Sequence, residues 1–157
     1  MITPGQDAPD FELTTNDGSR VRLSALRGKP VILFFYPRAD TPGCTTEACE
    51  FRDNRTLFDD LDAVLLGISP DPVSSVTRFG EKLGVNYQLL ADTDHEVAMA
   101  YGVWKAKRLF GNHLMGVERT TFLINRNGQV SRVFEKVKPQ GHALAVARAL
   151  ESSLSAS

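Results

Sequence analysis

The chain has 157 residues, 42% of them hydrophobic and 24% charged, and its net charge is −1. This length predicts a single domain, over residues 1–157, with a core large enough to fold without disulfides or metals. The near-neutral charge argues against binding to nucleic acid or to an acidic membrane surface. The longest apolar run is too short to span a bilayer, and the N-terminus lacks the basic-then-apolar pattern of a signal peptide. We therefore expect a cytoplasmic protein with reduced thiols.

The first half of the chain predicts a hairpin followed by alternating strands and helices. Asn16-Asp17-Gly18 is a turn signal between two short strands. Residues 31–36, VILFFY, form an unbroken β-branched and aromatic run, which is typical of a central strand covered on both faces. The predicted elements are strands 11–14, 21–23, 31–36 and 63–68 and helices 42–57 and 72–83.

The second half predicts a short strand, a short helix, a second hairpin and a final helix. Asn127-Gly128 is the strongest hairpin signal in the chain. Trp104 and the basic run that follows it are interpreted as a solvated loop. The predicted elements are strands 89–90, 120–124 and 130–137 and helices 94–101 and 139–154. This order indicates an α/β fold whose mixed central sheet has a parallel core and flanking helices.

The only two cysteines, Cys44 and Cys49, lie in the stretch ADTPGCTTEACEF at the start of a predicted helix. The loop before it, residues 37–43, follows a buried parallel strand, where α/β folds place their sites. Thr41 is suited to cap the helix with its side chain, and Pro42 to occupy the first helical position. Free N–H groups and the helix dipole in the first turn favour a thiolate at Cys44.

A continuous helix keeps the two cysteines apart. Residues five positions apart are separated by about 7.5 Å along the axis and about 140° around it, which gives a Cα–Cα distance of about 8.7 Å. A disulfide usually needs roughly 4.4–6.8 Å. Cys44 and Cys49 therefore cannot bond to each other while the helix is intact.

The segment FYPRADTPGCTTEACEFRD resembles the active-site segment of the peroxiredoxins, in particular the bacterioferritin comigratory protein or Q-type subfamily. Pro37, Thr41 and Cys44 meet the family pattern P-x-x-x-T-x-x-C. The segments GQDAPDFEL, YGVWKAKRLFGNHLMGVERTTFLINRNG and VKPQGHA resemble other parts of the family in the same order. The resemblance implies a thioredoxin-like fold with an N-terminal β-hairpin and a thiol-dependent peroxidase that needs no metal or organic cofactor.

The resemblance also implies a role for each site residue. Cys44 attacks the peroxide, Thr41 hydrogen-bonds it, and Arg119 holds the thiolate and the substrate oxygens. Glu47 orients Arg119. Cys49 resolves the oxidised Cys44, which gives a Cys44–Cys49 disulfide that thioredoxin reduces. The expected substrates are hydrogen peroxide and alkyl hydroperoxides, and the expected oligomeric state is a monomer. The implied substrate contacts are Pro37, Thr41, Gly43 and Arg119.

Two other functions fit a chain with two cysteines. A protein thiol-disulfide oxidoreductase normally uses C-x-x-C and a cis-proline before a late strand, whereas here four residues separate the cysteines and Arg119 precedes Thr120. A copper chaperone would use both thiolates and a histidine, because soft ligands suit Cu(I). The three histidines share no ligand spacing and are predicted to be surface or capping residues: His95, His113 and His142.

Overall fold

The computed structural model describes residues 1–109 and 111–155. It contains nine strands, five α-helices and a short 3-10 helix, Leu23–Leu26, within those residues. The strands are β1 (Glu12–Thr15), β2 (Arg20–Arg22), β3 (Val31–Phe35), β4 (Val64–Ser69), β5 (Gln88–Ala91), β6 (Trp104–Leu109), β7 (Asn112–Val117), β8 (Thr120–Ile124) and β9 (Val130–Phe134). The helices are α1 (Pro42–Asp53), α2 (Arg55–Asp60), α3 (Val73–Leu83), α4 (Glu96–Tyr101) and α5 (His142–Ser155).

A seven-stranded mixed sheet forms the centre of the molecule, in the order β2-β1-β5-β4-β3-β8-β9. Strands β3, β4 and β5 are parallel, and the strands on either side of them are antiparallel. The predicted α/β fold with a parallel core and an N-terminal hairpin is confirmed. Within the described residues, no helix is long and apolar enough to cross a membrane.

Strand β3 is buried on both faces, as its unbroken apolar sequence predicts. Side chains alternate along a strand, so successive residues of β3 enter two separate cores. Phe34 faces α1, where its ring stacks on Phe51 with the ring centroids 4.4 Å apart. Phe35 faces the other side, against Tyr101 of α4 and Phe122 of β8. The aromatic stack ties α1 to the centre of the sheet.

The sheet register brings distant residues to the carboxyl end of β3. Phe35 pairs with Thr120 in antiparallel β8, so Arg119, one residue before β8, lies beside the loop that leads from β3 into α1. A hydrogen bond ties that loop to the loop after β4: the backbone N–H of Ala39 donates to Oδ2 of Asp71 at 2.7 Å. The topology therefore places Arg119 and the start of α1 together.

The structure corrects three of the predictions made from the sequence about elements and histidines. The predicted helix 42–57 is two helices, because the chain leaves helical geometry at Asn54 (φ −104°, ψ 13°). The predicted loop that follows Tyr101 is an antiparallel hairpin of β6 and β7. Trp104 holds the base of this hairpin by stacking on His95, with the ring centroids 4.0 Å apart. His142 is buried and hydrogen-bonded to Thr121 at 2.8 Å, so it is not a surface residue. The side chain of His113 lies outside the described residues.

Candidate active site

The first turn of α1 is built by Thr41 and Pro42. Thr41 is extended (φ −104°, ψ 154°) at the N-cap position, its carbonyl accepts the N–H of Thr45 at 2.8 Å, and Pro42 begins the helix as predicted. The Thr41 hydroxyl does not cap the helix, and it donates instead to the carbonyl of Arg38 at 2.9 Å. The predicted side-chain cap is therefore wrong. The N–H groups at the helix start stay free of a side-chain acceptor, which suits the binding of an anion there.

Arg119 bridges Cys44 and Glu47. Its Nη2 donates to Sγ of Cys44 at 3.4 Å, and its Nη1 donates to Oε1 of Glu47 at 2.7 Å. Cys44 and Glu47 are each 1% exposed, and the Arg119 side chain is 15% exposed. One guanidinium thus holds the thiol and the carboxylate in fixed positions beneath the surface.

The local sequence explains why these groups meet. Glu47 follows Cys44 by three residues, which places both on the buried face of α1. Gly43 leaves room for Arg119, because a Cβ added there would lie 3.1 Å from Nη2 of Arg119 and 3.6 Å from Cγ of Pro139. Pro139, in the segment that leads into α5, therefore closes one side of the site. Pro37, half-buried, directly follows Tyr36 at the end of the strand region.

Burial has the largest effect on the pKa of Glu47 and of its partner Arg119. It raises the pKa of Glu47 to about 7, although the charge and hydrogen bond of Arg119 lower it. Oε2 of Glu47 has no hydrogen-bond partner within the described residues, which is consistent with a carboxyl that holds a proton easily. Burial alone would lower the pKa of Arg119, but Glu47 and Cys44 together raise it above its usual value. Arg119 therefore remains a cation beside Cys44.

The structure does not bring Cys49 to Cys44. Both thiols are free, Cys44 is buried, and Cys49 is half-buried on the continuous helix α1. Tyr87 holds the helical turn that carries Cys49, since its hydroxyl donates to the carbonyl of Ala48 at 2.7 Å. This arrangement matches the separation that the helical spacing predicts.

Three residues near the site were missed from the sequence. Oε1 of Glu50 accepts the backbone N–H of Gly141 at 2.8 Å, which ties α1 to the segment entering α5. Pro139 packs at Gly43, and burial together with the charge of Arg119 lowers the pKa of Lys107 of β6, whereas Cys44 raises it. No local pattern marks these residues, because each contact joins segments that are distant in the chain.

Comparison with known proteins places this arrangement in a family. The AhpC/TSA family profile matches residues 4–133. The chain is 47% identical over 151 residues to peroxiredoxin Bcp from Bacillus subtilis, which covers 96% of this chain and 94% of that protein. It is 41% identical over 141 residues to peroxiredoxin Bcp from Escherichia coli K12, covering 90% of each. The chain belongs to the AhpC/TSA family. It is a peroxiredoxin of the Bcp or Q type, and therefore a thiol peroxidase.

Solved structures agree with this assignment. The peroxiredoxin superposes on the bacterioferritin comigratory protein of Xanthomonas campestris, a structure described in terms of alkyl peroxide reduction, with a TM-score of 0.90 and 36% identity, covering 96% of this chain and 98% of that one. It superposes on PrxQ of Xylella fastidiosa with a TM-score of 0.93 and 30% identity, covering 98% of each chain. The predicted family is confirmed, whereas the roles of individual residues stay predictions.

Glu47→Gln should shift how stability depends on pH. The folded pKa of Glu47, about 7, exceeds its usual 4.5, so the wild-type protein loses stability as pH rises through this interval. The amide cannot ionise and avoids that loss. The unfolding free energy of the variant relative to wild type should improve by roughly 2–3 kcal/mol between about pH 5 and about pH 8. Urea unfolding at both pH values measures this difference, and a constant difference would contradict the raised pKa.

Proposed function

We propose that Cys44 is the peroxide-reducing thiol of this peroxiredoxin and that Cys49 resolves it. The observation that carries the proposal is the contact of Arg119 with both Cys44 and Glu47 at the free N-terminus of α1. The expected substrates are hydrogen peroxide and alkyl hydroperoxides. The Xanthomonas campestris neighbour, described in terms of alkyl peroxide reduction, supports the second class.

The first step is attack by the Cys44 thiolate on the terminal peroxide oxygen. The S–O bond forms as the O–O bond breaks, sulfur is oxidised to a sulfenic acid, and hydroxide or alkoxide leaves. Arg119 and the N–H groups at the start of α1 stabilise the negative charge that moves from sulfur to the leaving oxygen. The Thr41 hydroxyl, which donates its own proton to Arg38, retains lone pairs that can accept the peroxide O–H.

The second step needs a change in α1. The thiolate of Cys49 attacks the sulfenic sulfur, a disulfide forms and hydroxide leaves, taking up a proton to become water. In the intact helix the two Cα atoms are about 8.7 Å apart, beyond the roughly 4.4–6.8 Å of a disulfide, so the first turns must unwind. Gly43 and the pair Thr45-Thr46, all modest helix formers, lower the cost of opening. A dithiol, thioredoxin or a similar protein, then reduces the disulfide by exchange.

Other predictions from the sequence are retained in this proposal. They are one domain over residues 1–157, a monomer, a cytoplasmic location, no bound metal or cofactor, and no nucleic-acid or membrane partner. Among the described residues, no group of three or more His, Cys, Asp or Glu side chains could hold a metal ion. A copper-chaperone function therefore has no supporting observation in the structure.

Serine variants separate the two cysteines. Cys44→Ser should abolish peroxide turnover, because the nucleophile is lost. Cys49→Ser should react once and stop at a sulfenic acid that further peroxide converts to sulfinic acid. Peroxide consumption with thioredoxin and thioredoxin reductase, together with intact-protein mass, measures both. Equal residual turnover in the two variants would contradict the assignment.

Amide exchange tests the unwinding of α1. Backbone amides from Thr45 to Cys49 should be protected in the reduced protein and should lose protection in the disulfide form, because the helix that holds them has opened.

Glu50→Ala removes the hydrogen bond to Gly141 and should accelerate disulfide formation after oxidation, which reduces the fraction of sulfinic acid at high peroxide.

Glu50→Gln is the matched control for this experiment. Its side-chain oxygen can still accept the N–H of Gly141, so its exchange and sulfinic fraction should stay close to wild type. Equal protection of the 45–49 amides in both redox states would exclude the unwinding step. An unchanged sulfinic fraction in Glu50→Ala would exclude the restraint assigned to Glu50.

A further inference from the structure

Two buried acids share a single cation at the candidate site. Arg119 donates from Nη2 to Sγ of Cys44 at 3.4 Å and from Nη1 to Oε1 of Glu47 at 2.7 Å. Cys44 and Glu47 are each 1% exposed, so a charge on either of them is poorly solvated. Within the described residues, Arg119 is the only cation that forms an ion pair with Glu47. The guanidinium can therefore balance one negative charge at the site, but not two.

The hydrogen bonds of Glu47 are those of a half-paired carboxyl group. A carboxylate bound to arginine is held most strongly when both of its oxygens accept N–H groups from the same guanidinium. Here only Oε1 is bonded to Arg119, and Oε2 is buried without a hydrogen-bond partner in the part of the chain that the structure describes. A protonated carboxyl group tolerates this burial better than an ionised one, because an unpaired buried charge costs more than an unpaired neutral group. Burial also raises the pKa of Glu47 to about 7, which agrees with the geometry.

The other titratable groups that interact with Glu47 supply no second positive charge. The charge of Glu50, on the same helix, raises the pKa of Glu47 further. Tyr36 follows β3 and Tyr87 precedes β5, and burial raises the pKa of both phenols, so they are neutral at physiological pH. An ionised Glu47 and a thiolate at Cys44 would therefore compete for Arg119 alone.

We propose that Glu47 keeps its proton while Cys44 is a thiolate and gives it up once the sulfur is oxidised, an inference that rests on the proposed role of Cys44. The site then holds one negative charge throughout the reaction. While the carboxyl group is neutral, the whole charge of Arg119 acts on the thiolate and on the oxyanion that leaves. Once the sulfenic acid has formed, the sulfur is neutral and Arg119 pairs with the Glu47 carboxylate instead.

The atoms and charges of this step balance. The Cys44 thiolate bonds to the terminal peroxide oxygen as the O–O bond breaks, so sulfur is oxidised by two electrons and the peroxide is reduced by two. A departing alkoxide takes a proton from solvent water. Hydroxide, whether released from the peroxide or formed in this way, takes the proton of Glu47. When the reductant returns Cys44 as a thiol, the thiol proton replaces the one that Glu47 lost.

Infrared spectroscopy detects the proton on Glu47 directly, because a protonated carboxyl group has a carbonyl stretch that a carboxylate lacks. Reduced Cys49→Ser, which stops at the sulfenic acid, is oxidised near neutral pH with one equivalent of hydrogen peroxide, and the difference spectrum is recorded. The proposal predicts the loss of a protonated-carboxyl band on oxidation. The band should be absent when Glu47→Gln is added and should remain with Glu50→Gln, the matched control on the same helix. Should Glu47→Gln not fold, isotope-labelled glutamate assigns the band, since Glu47 is the buried glutamate among the described residues.

The pH dependence of Cys44 oxidation separates the proton of Glu47 from its hydrogen bond to Arg119. The wild-type rate constant should fall by up to about tenfold per pH unit above the pKa of Glu47, because only the protonated form reacts. Glu47→Gln is always neutral and keeps an oxygen that can accept from Arg119, so its rate constant should not fall in this range. Glu47→Ala loses the hydrogen bond and should be slower at every pH. Glu50→Gln should keep the wild-type decline.

Either of two results would overturn the proposal. One is a protonated-carboxyl band that is absent from the reduced protein or persists through oxidation, and the other is a decline in Glu47→Gln that parallels the decline of wild type. Failure of the underlying function is recognised separately. In that case peptide mass mapping would place the added oxygen on a residue other than Cys44, or Cys44→Ser would keep its peroxide turnover, whatever residue occupies position 47.

Discussion

The candidate active site depends on one guanidinium that contacts both a thiol and a carboxylate. Arg119 donates to the thiol of Cys44 and to the carboxylate of Glu47, and all three are largely shielded from water. The rest of the structure makes this contact possible. The antiparallel pairing of β8 with β3 delivers the arginine, α1 delivers the other two side chains, and Gly43 leaves space between them. Because these groups are largely buried, each charge among them acts more strongly than it would at the surface.

Helix α1 serves two requirements that conflict. Its N-terminus presents free N–H groups beside Cys44, yet its regular geometry keeps Cys49 out of reach. Helix α1 is held near its C-terminal end, where Phe51 stacks on Phe34 and Glu50 accepts from Gly141, and at its first turn by the contact of Arg119 with Cys44. Opening of the first turns breaks the contact with Arg119 but can leave the stack of Phe51 on Phe34 in place. On this account the enzyme alternates between a folded form that reacts with peroxide and an opened form that a dithiol can reach.

Much of this could be predicted from the sequence, and the failures have physical causes. The unbroken apolar run of β3 and the turn at Asn127-Gly128 identify their elements because the signal is local. The β6–β7 hairpin is not predicted because the basic residues of β6 are typical of a solvated loop. Its base is held by the stacking of Trp104 on His95, a tertiary contact that the local sequence does not reveal. The hydroxyl of Thr41 is predicted to cap α1, but it donates to the loop carbonyl of Arg38 and makes no cap bond. The stacking of Trp104 on His95 joins separate segments and leaves no local pattern in the sequence, whereas the Thr41 bond is a local choice between two conformations of one side chain.

The most direct test of the account is the second-order rate constant for Cys44 oxidation by hydrogen peroxide in Arg119→Met and Arg119→Lys, measured on reduced protein by stopped-flow mixing. Removing an oxyanion-stabilising donor typically slows a reaction by about 10²–10³-fold, and the methionine variant should fall in this range. The lysine variant restores a positive charge but cannot contact Cys44 and Glu47 with two separate nitrogens, so its rate constant should be intermediate. A methionine variant that folds normally and reacts within about twofold of wild type would contradict the claim that Arg119 organises the site.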